Sequence, residues 1–321
     1  MPAVPETMRA AAIDRFGGPE ILTLHVLPVP AVDDDEVLIA MHTAGVGPWD
    51  AEIREGWLAD ESAGFPLVLG TDGAGTVAAT GARVDRLKLD ERVYSYRFDN
   101  PKGGFYAEYV AVLAEHVGCV PESLDLELAG AIPTTGLTAL QGIDDWLALR
   151  QGESVLIHGA SGGVGTLAVQ FAKLRRAQVL ASASGADGVA LVRRLGADEA
   201  VDGKREDLAA AGRRFAPEGL DAVLALAGGE ALERALEAVR PGGRLAYPNG
   251  VEPEPEPRAG IKIMPYDAIA GVREFEQLGY AVVTAKLEVP IAAAYPLADA
   301  AKAHERLAAG HVLGKIVLRI H

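Results

Sequence analysis

The sequence predicts a two-part α/β protein in which a β-rich unit precedes a doubly wound parallel sheet. Three observations carry that expectation. The chain has 321 residues, and at roughly 150 residues per domain this suggests two domains. The texture changes near residue 123, from short glycine-punctuated β-like runs to helices alternating with apolar strands. After Gly152 the order becomes strand, glycine turn, helix, strand, which is the signature of a parallel βαβ unit.

The elements follow in order. Residues 36–42, 73–79 and 91–94 have the short β-like character of a mostly antiparallel barrel or sandwich spanning residues 9–120. Ser123 offers an N-cap followed by acids, and residues 138–149 repeat apolar side chains at helical spacing. A strand is predicted at 154–158, a glycine turn at 159–165, a helix at 166–175 and a second strand at 177–181. Val164, Leu167, Ala168 and Phe171 fall at i, i+3, i+4 and i+7, one buried helical face. Further strands are expected at 199–201, 220–226 and 244–247, separated by helices at 189–195 and 231–239. Residues 251–258, Val-Glu-Pro-Glu-Pro-Glu-Pro-Arg, read as a surface loop or hinge, since prolines donate no sheet bonds and like charges repel. Helices at 268–278 and 299–309 and a strand at 314–319 complete the chain.

Composition narrows the function classes. With 30 Lys and Arg against 45 Asp and Glu the net charge is −15, while 23% charged and 49% hydrophobic residues describe an ordinary globular chain. An acidic average surface repels nucleic acid and anionic lipid, so small molecules or a second copy of the chain are the expected partners. One cysteine, Cys119, permits no internal disulfide and no four-cysteine zinc site, and it reads as a small buried hydrophobe. The first residues lack a basic and then apolar leader pattern, and no apolar run approaches membrane-spanning length. A cytoplasmic protein is the expectation.

Residues 158–165 run His-Gly-Ala-Ser-Gly-Gly-Val-Gly. Glycines let the chain turn sharply and approach a ligand, and the N–H groups opening the next helix favour a diphosphate. The spacing departs from the strict G-x-G-x-x-G fingerprint, so the strand–turn–helix–strand context carries the dinucleotide reading. The same residues offer a rival, because Gly159-Ala-Ser161-Gly-Gly163 matches a hydrolase nucleophile elbow and His304 and His311 lie downstream. A triphosphatase loop is excluded by the missing Gly-Lys-Ser/Thr.

Several segments together resemble the medium-chain dehydrogenase/reductase superfamily, and within it the zinc-free quinone oxidoreductase branch that includes zeta-crystallin. They are residues 66–72 (Pro-Leu-Val-Leu-Gly-Thr-Asp), 103–110, 131–139, 155–173, 194–198 and 310–318. The resemblance implies a GroES-like catalytic domain from residues 1–125 completed by 265–321, with a Rossmann domain at 126–264 and a cofactor in the cleft between them. It also implies a homodimer.

Chemistry sharpens those expectations. A catalytic zinc needs about three protein ligands, yet residues 46–50 and 70–72 stand where zinc alcohol dehydrogenases carry two of theirs. No metal is therefore expected, and hydride transfer to a quinone or an enone replaces alcohol oxidation as the expected reaction. Ser182 and Ser184 end the second strand where NAD-preferring sheets place an acid. The absence of that acid favours NADPH, with NADH possible. The lysine and tyrosine that the branch often sets around the cofactor phosphate are replaced by Gly188 and Gly203, leaving Lys204, Arg205 or Arg193 as substitutes. By resemblance, Thr138, Ser161, Gly162, Gly163 and Val164 hold the cofactor phosphates, while Leu226, Ala227, Pro248 and Asn249 lie against adenosine and nicotinamide. Pro48, Trp49 and Trp57 are candidates for the substrate cleft, and Tyr94 is the candidate proton donor. Each aromatic also has a core-packing reading. His42, His116 and His158 read as core or strand-end residues. Alternatives of other classes are a nucleotide-binding sensor or structural protein with little turnover, and the Ser161 hydrolase.

Overall fold

Glycine-spaced β-like runs at the start of the chain become strands that share few long helices. In the computed structural model, which describes residues 4–57 and 64–320, these are β1 (Thr7–Ile13), β2 (Thr23–Pro28), β3 (Glu36–Val46), a short helix α1 (Pro48–Glu55), β4 (Leu67–Val68), β5 (Asp72–Thr80), β6 (Arg92–Tyr96), β7 (Tyr109–Leu113) and β8 (Val117–Cys119). Helices α2 (Leu126–Ala129) and α3 (Pro133–Gln141) lead to the second unit. There β9 (Ser154–His158), α4 (Gly163–Leu174), β10 (Gln178–Ala183), α5 (Gly185–Arg194), β11 (Glu199–Asp202), α6 (Leu208–Phe215), β12 (Leu220–Ala225), α7 (Glu230–Ala235), β13 (Val239–Pro248) and β14 (Ile261–Tyr266) alternate. The chain then gives α8 (Val272–Ala285), β15 (Ile291–Pro296), α9 (Ala300–Ala308) and β16 (Lys315–Arg319).

The strands form three sheets. A parallel six-stranded sheet has the order β11-β10-β9-β12-β13-β14, the 3-2-1-4-5-6 order of a dinucleotide fold, whose ligand crevice lies where the order reverses at the carboxyl end of its first strand. β9 is buried along its whole length, as a central strand covered on both faces must be. Leu156, Leu180 and Val223 pack on one face, and Val155, Ile157, Leu167 and Phe171 on the other. A second sheet runs β15-β16-β3-β5-β6-β8 with β7 paired to β3, and a small sheet runs β2-β1-β4. The last strand, β16, pairs antiparallel with β3, so the end of the chain completes the sheet that its beginning starts. Among the described residues no helix is long and apolar enough to cross a membrane.

Differences from the expected elements have local causes. The helix expected at 138–149 starts at Pro133, whose fixed φ suits a first helical turn, and ends in a π-type turn at Gly142–Trp146. β14 was not anticipated. It carries Pro265 and lies at a sheet edge, where a missing N–H is tolerated. The expected division at 264/265 falls inside this strand. α8 starts four residues later than expected, after Gly271, and packs on α3 and α4.

Candidate active site

The glycine turn folds as its composition requires. Gly159 takes φ +81°, a conformation that favours glycine. A Cβ at Gly165 would stand 2.5 Å from the Gly159 carbonyl oxygen, so α4 sits directly on the turn. At Gly162 the nearest neighbour to such an atom is 3.6 Å away. There is open room in front of the helix N-terminus, where unpaired N–H groups and the helix dipole favour an anion. A dinucleotide diphosphate fits that cradle.

The opposite wall comes from the β-rich unit, and the cleft between them encloses about 320 Å³. Gly159, Gly162, Gly163 and Val164 face Gly47, Pro48, Trp49 and Lys315 across it. Gly314 donates its N–H to the Ser161 carbonyl at 2.9 Å, which fastens the strand carrying Lys315 to the glycine turn. Two of the wall's threonines spend their hydroxyl protons on nearby backbone: Thr135 donates to the carbonyl of Ala131, just before α3, at 2.6 Å, and Thr138 to that of Thr134, within α3, at 2.7 Å. Thr134 Oγ1 is buried with no partner, a vacancy suited to a polar group of a bound molecule.

Beneath Gly47 lies a chain of oriented hydrogen bonds. Asp50 Oδ2 accepts from Gly47 N–H at 2.7 Å and from the Tyr106 hydroxyl at 3.0 Å. Tyr106 lies 3.3 Å from His304 Nε2, and Arg54 donates to His304 Nδ1 at 2.8 Å. With Arg54 donating, His304 is neutral and carries its proton on Nε2, so every proton in the chain points toward Asp50. Burial, then the charge of Arg54, push the His304 imidazole down to about 3. Burial raises the Asp50 carboxyl to about 6, partly offset by Lys315 and reinforced by Asp72. Asp72 Oδ2 accepts the Thr134 N–H at 2.9 Å, and the outer oxygens of both aspartates are buried and unpaired.

Other expected residues lie elsewhere. Tyr94 does not face the cleft: it is fully buried, packs its ring at a tilt against Phe275 with centroids 5.0 Å apart and donates to the Phe275 carbonyl at 3.3 Å. Residue alternation on β6 turns it toward α8, and burial holds its phenol protonated far above the ordinary range. Cys119 is exposed rather than buried, because β8 ends a sheet, and its thiol meets Glu91. Thr138, Leu226, Pro248 and Asn249 line the cleft, with Asn249 donating to Asp267 at 2.8 Å. Trp57 is 58% exposed and touches Trp49 and Phe98 at the cleft's rim. Ser161, Ala227 and Lys204 are outside the cleft wall, and Ser182 is buried with its hydroxyl 2.7 Å from His158.

Ser184 lies 3.0 Å from His311 Nδ1, whose Nε2 is 2.9 Å from Asp187. An acid thus stands at the end of β10 after all, three residues beyond the position where the sequence showed none. His311 was visible only as a possible partner for Ser161, and it meets Ser184 instead.

Relatives carry the same organisation. Residues 33–122 match an alcohol dehydrogenase GroES-like domain and residues 195–318 a zinc-binding dehydrogenase domain. The human quinone oxidoreductase is 32% identical, with 97% of each chain covered. The chain belongs to the zeta-crystallin-like quinone oxidoreductase branch of the medium-chain dehydrogenase/reductase superfamily. An NADPH-dependent alkenal/one oxidoreductase of Arabidopsis thaliana is 28% identical over 98% of this chain and 80% of its own. A mycobacterial protein solved in complex with NADPH superposes with a TM-score of 0.86 at 27% identity, over 98% of this chain and all of the other. The present chain has the GroES-like and Rossmann units that the family implies. Among its described residues no cluster of three or more His, Cys, Asp and Glu is placed to hold a metal ion.

Proposed function

We propose that this protein is a zinc-independent, NADPH-dependent reductase of quinones or of activated C=C bonds. The observation that carries the reading is the cleft itself. A glycine turn with free space before a helix N-terminus faces a wall whose Gly47 and Thr134 are fixed from behind by the buried Asp50 and Asp72. The human relative supports quinones, the plant relative supports enones and NADPH, and the mycobacterial neighbour supports NADPH.

A bound reduced nicotinamide supplies the hydride. The chain's own residues bind and orient. The turn from Gly159 to Val164 takes the diphosphate, Thr134 offers a hydroxyl without a partner, and Leu226, Pro248 and Asn249 bound the cleft where the parallel strands end. Ser184, Asp187 and His311 surround the end of β10, where a cofactor's ribose hydroxyl is read in this fold. Trp49 closes the acceptor side with an apolar face, supported by Trp57 and Phe98. The hydrolase alternative loses its base: His304 is engaged by Arg54 and Tyr106, and His311 by Ser184 and Asp187.

The test is a fluorescence titration of metal-free protein with NADPH and NADH, followed by quinones and enones on the same sample. Tight NADPH binding and its oxidation by one acceptor class are expected. Binding without oxidation by any acceptor would favour the sensor reading, and no binding of either nucleotide would remove the proposal.

A further inference from the structure

Charge is divided unevenly along the cleft. Two charged side chains line it, Lys315 and Glu52. A Cβ at Gly163 would lie 3.5 Å from Lys315 Cδ, so the cation packs on the glycine turn, at the end that suits a diphosphate. Glu52 stands with the aromatic wall instead. It lies one helical turn beyond Trp49 on α1, which puts the two on one face, and its carbonyl accepts the Trp57 N–H at 2.9 Å. Trp49 in turn meets Trp57 and Phe98, with ring centroids 5.3 Å apart in each pair.

The loop after β13 brings a second carboxylate to the same end. Gly250 lines the cleft with φ +88°, and a Cβ there would lie 3.2 Å from Trp49 Cη2. Glycine therefore lets the loop close on the indole, and Glu252 follows two residues later. Burial first, then the charges of Glu55 and Glu252, raise the Glu52 carboxyl above its ordinary value, so the three carboxylates lie within one another's fields. Arg54 bridges Glu55, but no ion-pair partner neutralises Glu52 or Glu252 among the described residues. An unneutralised carboxylate beside an apolar wall is screened less than one in open solvent, and it acts on whatever enters.

We propose that this end of the cleft selects the acceptor by charge, with Glu52 and Glu252 as its specificity-determining residues: a planar quinone or enone that is neutral or cationic enters, and one carrying an acidic substituent is turned away. This rests on the reductase reading above. The rings of Trp49, Trp57 and Phe98 supply a flat apolar contact that any conjugated acceptor can use, so the discrimination lies in the carboxylates. Free quinones, aldehydes and ketones meet the requirement. Enoyl groups carried on a phosphorylated thioester do not, because they bring several negative charges to the acidic rim. The place in the cleft suited to negative charge on a ligand is the glycine turn with Lys315, which the diphosphate of the cofactor would fill.

The experiment uses acceptors matched in shape but opposite in charge. They are a naphthoquinone bearing a sulfonate or a trimethylammonium group on its benzo ring, and cinnamaldehyde bearing either group at the para position, so that both acceptor classes give a reading. The ratio of kcat/KM for the cationic member to that for the anionic member is measured at saturating NADPH. The proteins are wild type, Glu52→Gln, Glu252→Gln, the double variant and Glu276→Gln, the last an exposed acid of α8 outside the cleft wall. Both members meet the same NADPH complex, so changes in cofactor affinity or folded fraction cancel from the ratio. At low salt the wild-type ratio should exceed about 30, the scale set by unit charges near a protein surface. Glu52→Gln and Glu252→Gln should each lower it about three- to tenfold and the double variant should bring it within about threefold of one, while Glu276→Gln changes it less than about twofold. Raising salt from about 10 mM to about 1 M shortens the screening length from about 30 to about 3 Å and should lower the wild-type ratio at least about fivefold. The proposal is overturned by any of four results: a wild-type ratio near one, a ratio insensitive to salt, a ratio unchanged in the double variant, or an equal fall in Glu276→Gln, which would assign the effect to the charge of the whole molecule. Wild type reducing neither the parent naphthoquinone nor cinnamaldehyde would instead remove the underlying reductase reading, a result distinct from each of these.

Discussion

The two walls of the cleft are built in different ways. One is backbone: residues 159–165 are contiguous, and their role depends on where glycine leaves room. The other is held by side chains, with Lys315 from β16 in the wall and Asp50 from α1, Asp72 from β5, Tyr106 before β7 and His304 from α9 buried behind it. These meet only when the end of the chain pairs with β3. A backbone site can be read from a short stretch of sequence because its residues are its geometry. A side-chain site of this kind depends on strand order and register.

The largest break in that contrast comes from the backbone wall. Gly162→Asp places a carboxylate in the open space before α4 and should abolish NADPH binding, a loss of at least about 100-fold by clash and like charge. Isothermal titration checks it, and retained affinity would mean that the diphosphate lies elsewhere. Gly165→Ala tests the same wall for packing. The new methyl would lie 2.5 Å from the Gly159 oxygen and 2.6 Å from Ala160 Cα, both backbone atoms that cannot swing aside. A loss of about 1–3 kcal/mol follows from forcing atoms into such a site, read as a lower urea midpoint.

The side-chain wall is sharpened by pH. His304 is held down to about 3 by burial and Arg54, and His158 down to about 4 by burial. Unfolded imidazoles take up protons below about 6.5, while the folded ones resist. Their contribution to stability is complete above that pH and is lost as pH falls toward about 4 and about 3. Asp50 has the opposite sign: raised to about 6, its contribution is present below the ordinary carboxylate range and is lost as pH rises through about 6. Two histidines outweigh one aspartate, so urea midpoints should fall between pH 7 and pH 4.5. His304→Gln should reduce that fall, and Asp50→Asn should increase it.

A smaller effect is expected at the end of β10. Asp187 is held below the ordinary carboxylate range chiefly by its hydrogen bond from His311. Asp187→Asn removes a negative charge at the proposed ribose site and should raise the ratio of NADPH to NADH affinity about three- to tenfold. An unchanged ratio would detach this group from cofactor choice.

Much of the fold was legible because its signals are local. The buried run 154–158, the glycines that follow and the amphipathic face of 164–171 all lie within one window, and the alternation after them implies a parallel sheet. β14 was not legible, since Pro265 reads as a break unless the strand is known to be an edge. Lys315 was within view as part of the 310–318 segment, but nothing local distinguishes a buried lysine from a solvated one. The signal that could have found it is the alternation of β16, which places Lys315 opposite Ile316, together with glycines at 45 and 47 that leave a channel for a long side chain. The same alternation applied to β6 would have warned against Tyr94.

Tyr94 gives the smallest predicted effect and tests the reading of β6 directly. The phenol was expected at the cleft because it sits near a strand end, yet its hydroxyl reaches the Phe275 carbonyl on α8 at 3.3 Å. That is a long hydrogen bond between neutral groups, so its net contribution is at the low end of about 0.5–1.5 kcal/mol. Tyr94→Phe keeps the ring against Phe275 and removes only the hydroxyl. Turnover and NADPH affinity should stay within about twofold of wild type, and the urea midpoint should fall slightly. A tenfold loss of turnover at unchanged stability would place the hydroxyl in the chemistry and return the expected proton donor to β6.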